Sequence, residues 1–158
     1  RTLRIKDGDP LEIFTDRDEL MLKKYSPIAT LERFSEGTTR SLNDLSGYLA
    51  VICDTDEVLY AAGEGRKEFA KKHISEELGR ILRDRRSYVA NLSEGDSIVP
   101  LTEDAAAAVT AQVIVPIVAG GDCLGAVSLV SMQAGERMEQ GALKLCRLTA
   151  DILANQFD

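Results

Sequence analysis

Residues 110–132, TAQVIVPIVAGGDCLGAVSLVSM, decide the fold. The stretch carries a single charge, Asp122, and by length alone could cross a membrane. Its punctuation argues otherwise. Pro116 interrupts it, and Gly120-Gly121-Asp122 separates two runs rich in Val and Ile, the pattern of two strands joined by a tight turn. It reads as a buried antiparallel hairpin over 111–131.

Upstream, Tyr48–Cys53 and Val58–Ala62 flank the turn residues Asp54-Thr55-Asp56-Glu57, and Gly63-Glu64-Gly65 breaks the run. That predicts a second hairpin, apolar enough to be a central pair. Ile28, Leu31, Phe34, Thr38, Leu42 and Leu45 recur every three or four residues before Gly47, which predicts one helix over 28–46. Arg66–His73 and Ser75–Val89 read as helices, the second with Ser75 as N-cap and Leu78, Ile81 and Leu82 turned inward. Residues 91–108 are the least legible, with a short strand expected at Ile98–Leu101. Residues 136–157 read as a closing helix with two apolar stripes, one on Met138, Leu145, Leu148 or Thr149, and Ile152, the other on Leu143, Cys146, Ala150, Leu153 and Phe157. One face of a sheet would not cover so broad an arc, so helices 28–46 and 136–157 are expected to pair across a symmetric dimer or tetramer.

Ahead of these, Leu11 and Ile13 alternate with Glu12, Thr15-Asp16-Arg17-Asp18 supplies turn chemistry, and Leu20 and Leu22 resume the alternation. A lone hairpin is marginal in water, so this piece needs upstream sequence, a second chain or both. Ser26-Pro27 closes it. The chain opens at Arg1, inside what reads as a motif, so further sequence ahead of it is expected. The elements together predict a mixed α/β (α+β) chain: a central antiparallel sheet flanked by helices, preceded by a partial β segment.

Composition limits the chemistry. Hydrophobic residues are 44% and charged residues 28%, as in soluble globular proteins, while aromatics are only 5% with no Trp, which disfavours base- or sugar-stacking surfaces. Residues 1–27 hold six basic and six acidic side chains, so the remaining 13 of 19 basic and 20 of 26 acidic residues place the entire net charge of −7 beyond Pro27. That larger part should repel a phosphate backbone, and any DNA contact is expected from the N-terminal piece. Arg80, Arg83, Arg85 and Arg86 are a local exception; they read as a solvated helix end, with an anion site the alternative.

Three scattered cysteines, Cys53, Cys123 and Cys146, suit a reduced, cytoplasmic protein. No CxxC or HxxxH spacing suggests a metal site, and no glycine-rich phosphate loop is present. His73, the only histidine, reads as exposed near a helix boundary, leaving a Ser-His-Asp or Cys-His device without another base. No catalytic residue, cofactor or metal is expected.

Arg1-Thr2-Leu3-Arg4-Ile5, Gly8-Asp9-Pro10-Leu11-Glu12-Ile13-Phe14 and Leu22-Lys23-Lys24-Tyr25-Ser26-Pro27-Ile28 resemble the second half of an AbrB-type swapped-hairpin DNA-binding domain. Ile52-Cys53-Asp54-x-Asp56, Ile74-Ser75-x-x-Leu78, and Val115-Pro116-Ile117-Val118-Ala119-x-Gly121-Asp122 followed by Gly125-Ala126-Val127 resemble the GAF domain of stage V sporulation protein T-like transcription regulators. The resemblance implies two domains, a truncated DNA-binding half at 1–27 and a GAF-like sensor or oligomerisation domain at 28–158. It implies a homo-oligomeric activator or repressor of sporulation genes, with Arg1 and Arg4 matching the end of the DNA-contacting basic stretch. GAF-like sheets commonly hold a small molecule against one face, and the candidates for that site are Tyr60, Ala62, Tyr88, Pro116 and Ser128. Two alternatives follow: a ligand-free assembly module, or a thiol-dependent methionine sulfoxide reductase acting through Cys123.

Overall fold

The computed structural model describes Asp9 and residues 11–16, 19–104 and 107–158, with backbone alone over 12–24. The first hairpin forms as expected. Strand β1 (Leu11–Asp16) pairs antiparallel with β2 (Glu19–Lys24), Leu11 opposite Lys24 and Asp16 opposite Glu19.

Pro27 opens a short helix, α1 (Pro27–Thr30), because its missing N–H is no loss in a first turn. Leu31 leaves helical geometry at φ −111, and α2 runs Glu32–Ser46 until Gly47, at φ 77, ends it with its N–H on the Asn43 carbonyl. The helix predicted over 28–46 is thus two, and the inward face differs from the one read from the apolar spacing. Ile28, Ser35, Thr39 and Leu42 are buried, whereas Phe34 is 40% and Leu45 77% exposed. Ser35 and Thr39 go inside because their hydroxyls bond backward, to the Ile28 carbonyl at 3.4 Å and the Ser35 carbonyl at 2.7 Å. Small buried residues let α2 lie close on the sheet, and the larger Phe34 and Leu45 turn outward.

The main sheet has five antiparallel strands in the order β4 (Val58–Ala62), β3 (Leu49–Cys53), β7 (Asp122–Ser131), β6 (Ala111–Ala119), β5 (Tyr88–Asn91). The hairpin read from 111–131 is its centre, with Ala111 opposite Ser131 and Ala119 opposite Asp122. The other hairpin is central only in part: β3 is buried throughout, but β4 forms an edge. Gly125 allows the sheet to close at one point. A Cβ there would stand 1.9 Å from the Cys53 carbonyl oxygen and 2.9 Å from the Asp54 Cα, so only glycine lets β7 approach β3 so closely.

Three other expectations are corrected. The helix read over 75–89 is α3 (Glu76–Asp84); Arg85 at φ 55 stops it, and residues 88–91 become β5. Ser75 caps α3, accepting from the Leu78 N–H at 3.0 Å. Helix 66–73 reduces to one tight turn, Arg66–Glu68, because the free edge of Val58 captures the backbone beyond it. The Lys71 N–H donates to the Val58 carbonyl and the Val58 N–H to the Lys72 carbonyl. Residues 98–101 join no ladder; the Val99 N–H and carbonyl are met instead by the Gln112 carboxamide, at 2.7 and 2.9 Å. Finally α4 (Gln140–Asn155) packs Cys146, Ala150 and Leu153 inward and leaves Leu148 58% and Ile152 40% exposed.

Candidate functional site: the two faces of the sheet

Side chains alternate across a strand, so register assigns every sheet residue to a face. Ala50, Ile52, Val113, Val115, Ile117, Val127 and Leu129 form one cluster with Leu42 of α2 and Cys146, Ala150 and Leu153 of α4. Val51, Cys53, Val58, Ile114, Ala126 and Val130 form the opposite cluster, with Phe69, Ile74, Leu101, and Leu78 and Leu82 of α3.

The five ligand candidates divide between these faces. Tyr60 stands opposite Ile52, and Ala62 opposite Ala50, on the α2–α4 side. The Tyr60 hydroxyl has its pKa raised by burial first, then by Glu32 and Glu36 of the overlying α2. Ser128 stands opposite both Ile114 and Val51, Pro116 opposite Ala126, and Tyr88 opposite Ile114, all on the α3 side. The structure therefore brings together Tyr88, Pro116 and Ser128 and separates them from Tyr60 and Ala62. Register alone causes the split, and register is not visible within one strand.

On the α3 side, Ser128 is 3% exposed on the central strand, and its Oγ has no hydrogen-bond partner. A buried hydroxyl without a partner costs about 1–3 kcal/mol, so one kept among Val51, Ile114 and Ala126 is a feature to be explained. Pro116 lies two residues beyond Ile114, where β5 pairing stops, so its missing donor falls on a free stretch of β6, as expected for proline in a sheet. Tyr88 is half-buried, and its hydroxyl donates to the Ser97 carbonyl at 2.5 Å. Ser128→Ala is expected to raise the ligand-free melting temperature by about 2–4 °C, through removal of that unpaired hydroxyl. A lowered melting temperature would show that the hydroxyl is satisfied within the fold.

Two buried carboxamides that sequence reading passed over hold the loops, Gln112 on the α3 face and Asn91, opposite Ala111, on the α2–α4 face. Gln112 holds Val99 as described. Asn91 accepts from the Met138 N–H at 2.7 Å and donates to the Met138 carbonyl at 3.1 Å, tying the end of β5 to the start of the α4 segment. The signal was present as a lone amide in an apolar run, Ala111-Gln112-Val113, but its partner lies thirteen residues away.

Histidine and cysteine chemistry is weak. His73 is half-buried, not exposed at a helix boundary: it bridges to Glu57, and its Nδ1 lies 3.7 Å from an Asp56 carboxylate oxygen. Ser75 is committed to its cap and to donating to the Pro100 carbonyl, so its hydroxyl is not offered to that pair as a nucleophile. All three cysteines are free. Burial raises the Cys123 thiol, outweighing a backbone hydrogen bond at Gly125 and the charge of Arg85, both of which lower it. Cys53 is raised further by burial and Asp54, and burial pushes Cys146 up to about 12 from an unfolded value near 9.0. Thiols in this state are poor nucleophiles. The folded chain keeps protons that the unfolded chain releases, so this contribution to stability is full below pH 9.0 and is lost as pH rises to about 12. Urea midpoints are accordingly expected to fall between pH 8 and about pH 10.5, and a Cys146→Ala variant should show a smaller fall.

Among the described residues, no group of three His, Cys, Asp or Glu could hold a metal ion, and no helix is long and apolar enough to cross a membrane. Arg1 and Arg4 lie outside the described residues.

Residues 30–158 match the family model described as stage V sporulation protein T C-terminal, transcription factor. The entire chain aligns with stage V sporulation protein T of Bacillus subtilis (strain 168), 40% identical over 160 residues and covering 86% of that protein. The chain belongs to the stage V sporulation protein T family of transcription regulators. The sheet and helices of this family member are GAF-like. The PixJ GAF domain of Thermosynechococcus elongatus matches with a TM-score of 0.61 at 14% identity, over 82% of this chain and 88% of that one. GAF-B of Mycobacterium smegmatis DevS matches with a TM-score of 0.62 at 16% identity, over 81% and 90%. A free methionine-R-sulfoxide reductase from Thermoplasma acidophilum matches with a TM-score of 0.63 at 10% identity, over 82% and 94%. At such identities the likeness speaks for the fold of this stage V sporulation protein T relative and for nothing more.

Proposed function

We propose that this regulator acts on sporulation genes as a homo-oligomer, its GAF-like part pairing two chains through α2 and α4 while the N-terminal segment, with Arg1 and Arg4, meets DNA in the cytoplasm. One observation carries the pairing: Phe34 and Leu45 of α2 and Leu148 and Ile152 of α4 are all exposed, at 40%, 77%, 58% and 40%. These two helices pack beside one another on the same sheet face, so their outward apolar side chains present one stripe. Across a two-fold axis the stripe meets its own copy and makes a four-helix bundle. The division into a DNA-binding half at 1–27 and a GAF-like domain at 28–158 follows from the same reading, since β1 and β2 form a sheet apart from the other five strands. Light scattering at micromolar concentration tests it; a dimer or tetramer supports the pairing and a monomeric mass overturns it.

Small-molecule sensing is the second part, supported by the unpaired Ser128 hydroxyl on the apolar α3 face. A ligand there would be uncharged and mostly apolar, with one group able to bond that hydroxyl. If it favours one arrangement of the paired chains, its binding shifts the geometry of the DNA-contacting segments. Cys123 is half-buried and its thiol is raised by that burial, which favours this reading over a thiol enzyme.

A further inference from the structure

The α3 side also carries a cluster of arginines. Arg80, Arg83, Arg85 and Arg86 fall within seven residues at the end of α3, and all four are exposed. Beyond Pro27 the chain holds 20 acidic and 13 basic residues, so this is a basic island on an acidic surface. Among the described residues, none of the four lies within ion-pair distance of a carboxylate, although Asp84 sits between them.

Two backbone choices maintain the cluster at the expense of the helix. Gly79 stands in the interior of α3, where glycine is a poor helix former; a Cβ there would meet Arg83 Nη1 at 3.4 Å, so the guanidinium lies along the helix over that glycine. Arg85 occupies the left-handed region at φ 55, where glycine or asparagine would be at ease. The dipole of a nine-residue helix accounts for one cation in its last turn, and not for four that repel one another. All four are arginine rather than lysine, which suits a partner offering carboxylates or phosphates to a planar fork of donors.

We propose that this arginine island is a docking surface for an acidic segment of a partner protein. Size and surroundings favour that occupant over DNA. Nine helical residues span roughly 13 Å, and Glu76 and Glu77 stand at the other end of the same helix. A rigid duplex, with a phosphate charge about every 1.7 Å, would be pressed against those carboxylates and the acidic remainder. A short flexible acidic segment can lie on the arginines alone. The surface is separate from the α2–α4 stripe, so its success or failure does not depend on the pairing of chains.

The test uses the full chain and fluorescein-labelled octaglutamate, read by anisotropy in 50 mM NaCl. Arg80→Gln/Arg83→Gln/Arg85→Gly/Arg86→Gln is expected to weaken binding at least tenfold. Replacement of all four by lysine should weaken it by about threefold, because charge remains and the fork is lost. Arg85→Gly alone should bind more weakly yet melt at a higher temperature, which separates docking from folding. The proposal is overturned if the parent chain shows no binding up to 1 mM peptide or if the fourfold glutamine-glycine variant binds like the parent. It is equally overturned if 1 mM inorganic phosphate displaces the peptide completely, or if the variant loses a 30-base-pair duplex while keeping the peptide.

Discussion

Gly125→Ala is expected to destabilise the chain by about 3 kcal/mol or more, the upper end of what overpacking does, and to lower its melting temperature by about 10 °C. The reason is local and geometric. The new methyl would sit 1.9 Å from the Cys53 carbonyl oxygen and 2.9 Å from the Cys53 carbonyl carbon and the Asp54 Cα, all backbone atoms that no rotamer change can move aside. The strands must separate where Cys53 pairs with Ala126, at the junction of the two hairpins. Gly135→Ala is a suitable contrast, since a Cβ there meets nothing within 4 Å, and only its φ of 77 opposes the change. Thermal melts of the two variants check the expectation: Gly125→Ala should fall much further. Equal losses would mean that the β3–β7 approach is looser than described.

The second large effect is expected at the helix stripe. Leu45→Glu combined with Leu148→Glu should convert an oligomer into a monomer at micromolar concentration, weakening association by at least a hundredfold, about 2.7 kcal/mol. Each leucine would otherwise bury a side chain worth roughly 1.5–3 kcal/mol, and a two-fold axis uses each position twice. Both side chains stand outside the core, at 77% and 58% exposed, so the variant should keep its fold. Circular dichroism and light scattering on one sample separate the outcomes. An unchanged oligomer with a folded spectrum would move the interface elsewhere.

Much of the fold was legible because turns announce themselves locally. Gly120-Gly121-Asp122 and Asp54-Thr55-Asp56-Glu57 marked both hairpins, Gly47 a helix end and Ser75 a cap. What escaped depended on contacts distant in sequence. Arg85 ends α3 in a conformation that sequence associates with glycine, so the apolar spacing of Leu78, Ile81 and Leu82 seemed to run on into Val89. Residues 98–101 looked like a strand because Val99 does satisfy its backbone as a strand residue would, through a side-chain amide instead of a neighbouring chain. The buried face of α2 differs from the apolar spacing because Ser35 and Thr39 satisfy their hydroxyls on backbone carbonyls, Ser35 on Ile28 of α1 and Thr39 on Ser35 within α2.

The candidate site was legible as residue types and not as a place. Tyr60 reads as an aromatic in a short strand and Tyr88 as one near the end of a helix, and only their pairing with Ile52 and Ile114 puts them on opposite sides of one sheet. Ser128 was visible as one hydroxyl in an apolar run; that it lacks a partner required the packed structure.

Native mass spectrometry of the full chain, compared with its denatured mass, tests the central claim most directly, because it reads assembly and bound ligand together. The expected species is a dimer or tetramer, carrying the extra mass of a small ligand that Leu45→Glu/Leu148→Glu leaves in place and that does not depend on Cys123. A chain that stays monomeric at micromolar concentration would contradict it.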